Sequence, residues 1–189
     1  MDTWFWIVLV IAIVVVAGLV AAAAARRQRS KGLQEDFGPE YARTVDSTGD
    51  RGDAEKELSG RRKRREELDI IPLSDDARSR YASEWQDVQE RFVDEPDGSV
   101  RDADRLVQRV MAERGYPMEN FEQASADVSV DHPDVVENYR KGHQLLASHD
   151  DGQASTEDLR QAMVHYRALF DELLAEERRQ ECQEQERTR

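Results

Sequence analysis

Cysteine is almost absent from the chain, since Cys182 is the one cysteine among 189 residues. A single cysteine excludes an internal disulfide, which suits a reducing compartment. Cys182 stands in a polar stretch (QECQEQERTR) without a neighbouring histidine or a second thiol. We therefore expect no redox or metal-binding role for it.

Histidine is also scarce, and the chain's four histidines (His132, His143, His149 and His165) follow no metal-binding pattern. None stands in an HExxH motif, at zinc-ligand spacing or three residues after a glutamate. The sequence likewise lacks a phosphate-binding glycine loop, a GxSxG elbow and a CxxC pair. It predicts no metal, no cofactor and no catalytic residue. We expect His132 and His149 to be exposed and His143 to lie at the edge of a core.

Positive charge is in deficit, because 40 Asp and Glu outnumber 27 Lys and Arg and leave a net charge of −13. Residues 26–74 carry a net charge of +1, whereas residues 75–189 carry −13. So acidic a region is repelled by nucleic acid. The charge distribution therefore excludes a nucleic-acid partner for the C-terminal part.

A single long hydrophobic run occupies residues 4–25 (WFWIVLVIAIVVVAGLVAAAAA). As a helix it would extend about 33 Å, which is enough to cross a hydrocarbon core of about 30 Å. The alternative, a cleaved signal peptide, needs a basic start and an apolar core of about 7–15 residues. Here the start is acidic and the core is longer. The sequence thus predicts a transmembrane anchor in residues 1–25.

The charges beside this run predict its orientation in the membrane. Four cations follow it at once, namely Arg26, Arg27, Arg29 and Lys31, while Asp2 precedes it. Cations concentrate on the cytoplasmic side of a spanning helix. We expect a single-pass protein of the plasma membrane with its N-terminus outside and residues 26–189 in the cytoplasm. Gly18 has no second glycine at GxxxG spacing, so homo-oligomerisation stays an open question.

Residues 26–73 contain few large apolar side chains, which predicts a basic, mixed-charge and flexible linker. Residues 33–45 are a weak candidate for local structure, broken by Gly38 and Pro39, and residues 53–69 are a candidate helix. This linker carries a basic run, Arg61, Arg62, Lys63, Arg64 and Arg65. Together with the four cations after the anchor, these are candidate lipid-contact residues. The alternative is a solvated run that balances the acidic region beside it.

Residues 74–176 show the apolar spacing of amphipathic helices. After a cap at Ser74 or Asp75, the first stripe is Ala77, Tyr81, Trp85, Val88 and Phe92. The second follows a cap at Ser99 and comprises Val100, Ala103, Leu106, Val107, Val110 and Met111, with Gly115 as the terminating residue.

Three further helices follow. A short one is expected from Pro117 to Asp127, and the next is expected to be capped by Asp131, with Gly142 marking a close approach or a tolerated defect. Ser155 and Asp158 form a capping box for the last. The sequence therefore predicts an acidic all-α bundle of four main helices and one short helix, followed by a fraying polar tail in residues 177–189.

Three segments of this region resemble a group of uncharacterised bacterial proteins of actinobacterial type, which often carry one N-terminal spanning helix. They are residues 114–123 (RGYPMENFEQ), 128–140 (VSVDHPDVVENYR) and 162–174 (AMVHYRALFDELL). The resemblance covers residues 81–174, about half of the chain. It implies a bacterial plasma-membrane setting and no particular activity or ligand.

Two hypotheses for function follow from the sequence. The first is a non-catalytic, membrane-tethered helical module of the scaffold or adaptor kind, which binds an unidentified protein at the cytoplasmic face. The alternative is an enzyme or small-molecule binder with an inter-helix pocket around Tyr139, His143 and Arg167. Arg140 and Arg167 each follow a tyrosine, and we expect both to pair with carboxylates of a neighbouring helix.

Overall fold

The protein is described by a computed structural model that gives the backbone of residues 3–150 and 155–187, and the side chains of residues 4, 13–150 and 155–175. These residues form seven helices and no strand, so the predicted all-α fold is confirmed. The helices are α1 (Thr3–Thr48), α2 (Arg51–Glu67), α3 (Asp75–Arg91), α4 (Pro96–Glu113), α5 (Phe121–Asp131), α6 (Val136–Asp150) and α7 (Thr156–Arg187). The chain divides into two units, Met1–Ser59 and Gly60–Arg189.

The predicted anchor falls within α1. Across the described residues, no helix is both long and apolar enough to cross a membrane. The transmembrane helix expected in residues 1–25 is therefore not confirmed. The side chains of residues 5–12 in that run lie outside the described residues.

The expectation of a flexible linker over residues 26–73 needs correction, because most of this segment is helical. Helix α1 continues to Thr48, and α2 begins at Arg51 after a two-residue joint. A kink at Gly38, with φ 44° and ψ −122°, divides α1, and Pro39 follows it. Glycine adopts such a positive φ without strain, and proline is well placed at the start of a new helical segment. The Gly-Pro pair therefore bends the helix instead of ending it.

Sparse but well-spaced side chains account for the helices of the first unit. Leu33, Phe37 and Tyr41 recur every four residues and are all buried. The carboxylate of Glu55 joins the two helices, because its Oε1 accepts hydrogen bonds from the Ser30 hydroxyl at 2.6 Å and the Tyr41 hydroxyl at 2.8 Å. The bond from Ser30 contributes most to lowering the pKa of Glu55. Because residues 26–73 are hydrophilic overall, their sequence did not predict the helical continuation of α1.

The second unit is the predicted helical bundle. Helix α7 lies against α6 and α4, and α3 lies against α4. The Trp85 and Phe170 rings stack with centroids 4.6 Å apart, which brings α3 onto α7 as well. The predicted stripes face inward: Ala77, Tyr81, Trp85 and Val88 are buried, as are all six apolar residues named for α4. Two helical hairpins, α3–α4 and α6–α7, thus form one core, with α5 as the short helix.

Three predicted helix boundaries are confirmed by their hydrogen bonds. The Ser74 hydroxyl accepts from the backbone N–H of Ala77, and Ser155 and Asp158 form a reciprocal capping box. Gly115 ends α4 with a φ of 100°. The N–H groups of Gly115 and Tyr116 donate to the carbonyls of Ala112 and Met111, which is a Schellman motif.

Two predicted caps are wrong. Helix α4 begins at Pro96, which supplies a helical φ at the first position, so Ser99 lies buried inside the helix. Helix α5 extends through Asp131, and α6 begins at Val136. The Asp131 carboxylate accepts a hydrogen bond from the Tyr116 hydroxyl at 2.6 Å, so it serves as a side-chain partner and caps no helix.

The positions of two histidines and the end of α7 also differ from expectation. His149 lies within α6, not in a turn, with its Nε2 3.1 Å from Asp97 Oδ1. His132 is 3% exposed, which contradicts its expected exposure. Helix α7 continues to Arg187, past the predicted fraying point, and the side chains after Ala175, Cys182 among them, lie outside the described residues.

Gly142 marks a close approach between α6 and α7. A Cβ atom at this position would lie 3.2 Å from three ring carbons of Tyr166. Tyr166 is fully buried, and its ring packs edge-on against Tyr139 with centroids 6.3 Å apart. The ring therefore has little freedom to move, and the first of the two interpretations of Gly142 is confirmed.

We predict that Gly142→Ala lowers the free energy of unfolding by about 1–2 kcal/mol, because overpacking outweighs the better helix propensity of alanine. Gly60→Ala is the matched control, since the nearest atom to its Cβ would be Arg64 Nη1 at 3.7 Å. We expect this control to raise stability by up to about 1 kcal/mol. Urea unfolding of the full-length chain in detergent micelles measures both. Equal effects of the two substitutions would contradict the close approach.

Candidate functional site

The basic run at the end of α2 is bound to α5. Arg61 is buried, and its Nη1 donates a hydrogen bond to the Ser129 hydroxyl at 3.2 Å. Arg65 pairs with Asp131, and Arg64 Nε lies 3.6 Å from the buried Asp127 carboxylate. Arg61, Arg64 and Arg65 of this candidate lipid-contact run therefore have partners on α5.

The other candidate lipid-contact residues have more solvent around them. Arg26, Arg27, Arg29 and Lys31 on α1 are exposed, as is Lys63, whereas Arg62 is half-buried. A cation engaged by a carboxylate has fewer N–H donors and less uncompensated charge left for a phosphate group. Lipid contact stays a prediction for these cations, and for Arg61 burial within the protein argues against it.

The predicted pocket residues are only partly brought together. The Phe121 ring stacks on the His143 ring with centroids 3.7 Å apart and lies 4.9 Å from the Tyr139 ring. Tyr139 is buried and His143 is half-buried. Arg167 is exposed and pairs with Asp171 at 3.3 Å along its own helix, so it does not belong to this group.

The paired-arginine interpretation needs correction for Arg167, whereas for Arg140 it stays a prediction. Arg140 lies 3.8 Å from Glu137, and, like the Arg167 pair, this contact is within one helix. Contacts of three or four residues along a helix follow directly from its geometry and do not fix the register of a neighbour. The dipeptides Tyr139-Arg140 and Tyr166-Arg167 thus contribute to the core through their tyrosines.

Asp104 is the functional candidate that the sequence analysis did not identify. It is 9% exposed, and its Oδ2 accepts a hydrogen bond from Gln108 Nε2 at 2.6 Å. Its Oδ1 is buried without a hydrogen-bond partner. Burial raises the pKa of this carboxyl, because the charged form loses hydration. The signal was present in the sequence, since Asp104 interrupts the apolar stripe between Val100 and Val107.

Two buried tyrosines share the environment of this carboxylate. The pKa values of Tyr139 and Tyr166 are both raised, first by burial and then by the negative charge of Asp104. The Tyr166 hydroxyl lies near Asp104, so the phenol stabilises the carboxylate in part. Both phenols therefore stay neutral at physiological pH, and neither is activated as a base.

A cavity of about 280 Å³ opens between α4 and α6 over Asp104. Besides Asp104, Arg101 and Arg105 line it from α4, and His143, Leu146 and Asp150 line it from α6. The Nδ1 atom of His143 is buried and has no hydrogen-bond partner. Asp104 Oδ1 and His143 Nδ1 are both enclosed by protein atoms, so neither is accessible from the cavity.

A larger groove of about 690 Å³ runs along the α3–α4 hairpin. Val88, Ala112 and Met118 form its apolar part. Ion pairs between the two helices flank it: Arg91 Nη1 lies 2.8 Å from Asp102 Oδ2, and Arg109 pairs with Glu84. This groove can hold a row of apolar side chains from another segment, and charges of both signs lie along its edges.

Neither place has the chemistry of a metal centre. Throughout the described ranges, no three or more His, Cys, Asp and Glu side chains are grouped to hold a metal ion. No protein-family model, curated protein or solved structure matches this chain.

We predict that Arg61→Gln lowers the free energy of unfolding by about 2–3 kcal/mol, because it removes a buried charged hydrogen bond. Lys63→Gln, in the same run but exposed, is the control and should change stability by less than about 0.5 kcal/mol. Chemical unfolding measures both variants. Equal and small effects would mean that the run is merely solvated.

Proposed function

We propose that this chain is a membrane-tethered helical module that binds another protein at the cytoplasmic face and catalyses no reaction. The α3–α4 groove is the observation that carries the proposal. Its apolar part and flanking ion pairs suit an amphipathic helix, whose apolar stripe is bordered by polar residues. The partner is accordingly a protein that presents such a helix.

Support for the tether comes from residues 4–25. The described apolar side chains of this run are strongly exposed, with Ile13, Val14, Leu19 and Val20 between 59% and 66%. A contiguous exposed apolar surface favours contact with lipid or with protein. The exposed cations that follow the run support the orientation with the bundle in the cytoplasm.

Charge supports a protein partner over a nucleic acid or a lipid surface for the bundle itself. Residues 75–189 carry a net charge of −13, which repels phosphate groups. The basic run of α2 is engaged by α5. A tether holds the groove near other membrane proteins and so raises their effective concentration.

We predict that a photo-crosslinking residue at Ala112, exposed beside the groove, gives a discrete protein adduct in intact cells. The same residue at Gln144, exposed on α6, is the control and should give none. A chain that lacks residues 1–25 should give at most about one tenth of the yield of the Ala112 adduct, because the tether is lost.

Adducts consisting only of lipid or of abundant soluble proteins would contradict the proposal. So would identical adducts from Ala112 and Gln144, since the groove would then have no special role. A periplasm-only reporter that is active when fused after Arg189 would contradict the orientation while leaving the groove untouched.

A further inference from the structure

The two helices that form the α3–α4 groove carry opposite net charges along it. Helix α3 contributes two carboxylates and one guanidinium group to the lining, whereas α4 contributes one carboxylate and two guanidinium groups. These charged residues are Glu84, Asp87 and Arg91 on α3, and Asp102, Arg105 and Arg109 on α4. The α3 edge of the groove therefore has a formal charge of −1, and the α4 edge has one of +1.

Ion pairs within the groove do not cancel this difference. Each of the two interhelical pairs uses one charge from α3 and one from α4. Asp102 is also the partner of Arg105, so one carboxylate serves two guanidinium groups. The Arg105 side chain is 68% exposed. Asp87 is exposed as well, and its carboxylate pairs with no side chain in the part of the chain that the structure describes. Asp87 and Arg105 are therefore the charges with which a partner can pair.

The length of the groove suits about three turns of a helix. Its α4 lining extends from Asp102 to Ala112, which corresponds to about 15 Å along the helix axis. Val88 and Met118 supply apolar side chains, and the methylene stems of the arginines add apolar surface. A helix that lays its apolar stripe on this surface brings the residues on either side of the stripe against the two edges. One side of the helix thus meets an acidic edge and the other side a basic edge.

We propose that the partner helix has basic residues along one side of its apolar stripe and acidic residues along the other. The basic side lies on α3 at Asp87, and the acidic side lies on α4 at Arg105. The charges also fix the direction in which the helix runs, because the reverse direction would bring like charges together at both edges. The helix concerned is the one bound under the proposed function, on which this inference rests.

The test uses the full-length chain in phosphatidylcholine nanodiscs, with the photo-crosslinking residue at Ala112. Three synthetic helical peptides are the probes, and they share one leucine stripe. The mixed peptide has lysines on one side of the stripe and glutamates on the other, the second has lysines on both sides, and the third has glutamates on both. At low ionic strength, half-maximal capture of the mixed peptide should need an at least about threefold lower concentration than capture of either other peptide.

Charge reversal on either edge should change the preferred peptide. Asp87→Lys makes both edges positive, so the glutamate peptide should be captured best. Arg105→Glu makes both edges negative, so the lysine peptide should be captured best. Both residues are exposed, so the fold should tolerate these changes. Asp171→Lys and Arg160→Glu change the net charge equally at exposed positions of α7, and they should keep the wild-type order of the peptides.

A fourth peptide tests the direction of the bound helix. It is the mixed peptide with its lysine and glutamate sides exchanged, and it should bind about as tightly in the opposite direction. Ala112 lies in the last turn of α4, at one end of the groove. Mass spectrometry should therefore map the Ala112 adducts to opposite ends of the two mixed peptides.

Three results would count against these expectations. An unchanged order of the peptides in both charge reversals would overturn this inference alone, because the groove would bind a helix without regard to its charges. Adducts at the same end of both mixed peptides would overturn the assigned direction. Capture of no peptide above the level obtained with the crosslinking residue at Gln144 would overturn the proposed function as well.

Partition of the peptides into lipid does not affect the comparison. Each peptide partitions equally in all samples, whereas the predicted order changes with the residue at position 87 or 105. The preference should also weaken at about 1 M salt, because exposed charges are then screened beyond about 3 Å.

Discussion

The bundle depends on the close packing of α6 and α7 around buried tyrosines. Gly142 gives the Tyr166 ring room to lie against the α6 backbone, and Tyr139 packs on that ring from the same helix. The rings fill the centre of the core but bring two hydroxyl groups into it. Asp104 of α4 faces this polar centre with one carboxylate oxygen unpaired. Apolar packing therefore holds in place a charge that would be better hydrated outside.

Charge has a different use between α2 and α5. The basic run of α2 could have been a lipid-binding segment by composition alone, yet Asp127 and Asp131 of α5 lie where its arginines can reach them. Asp127 and Asp131 are four residues apart and share one face of α5, where they meet the adjacent Arg64 and Arg65 of α2. An excess of negative charge in the bundle thus organises the one strongly basic segment beside it.

The helices of the bundle could be predicted because each has an apolar residue at nearly every third or fourth position. The predicted helix start at Asp131 was wrong because its side chain bonds to a distant partner. The predicted start at Ser99 was wrong because Pro96 begins the helix three residues earlier. The continuation of α1 to Thr48 was missed because Leu33, Phe37 and Tyr41 are few among many charges, whereas the candidate helix over residues 53–69 corresponds to α2. The rings of Tyr139 and His143 both lie against Phe121, whereas Arg167 does not join them. Asp104 was recognisable only as a charge within an apolar stripe.

The central claim is that the core of the bundle holds Asp104 where its charge is unfavourable. Because its pKa is raised in the folded chain, the stability that it contributes is complete below its unfolded pKa and is lost as the pH rises through the folded pKa. The most direct test compares the free energy of unfolding of the wild type and Asp104→Asn between about pH 3.5 and 7.5. We predict that the Asn variant gains stability relative to the wild type as the pH rises, and that the difference then levels off. A difference that is constant with pH, or that grows in favour of the wild type, would contradict the account.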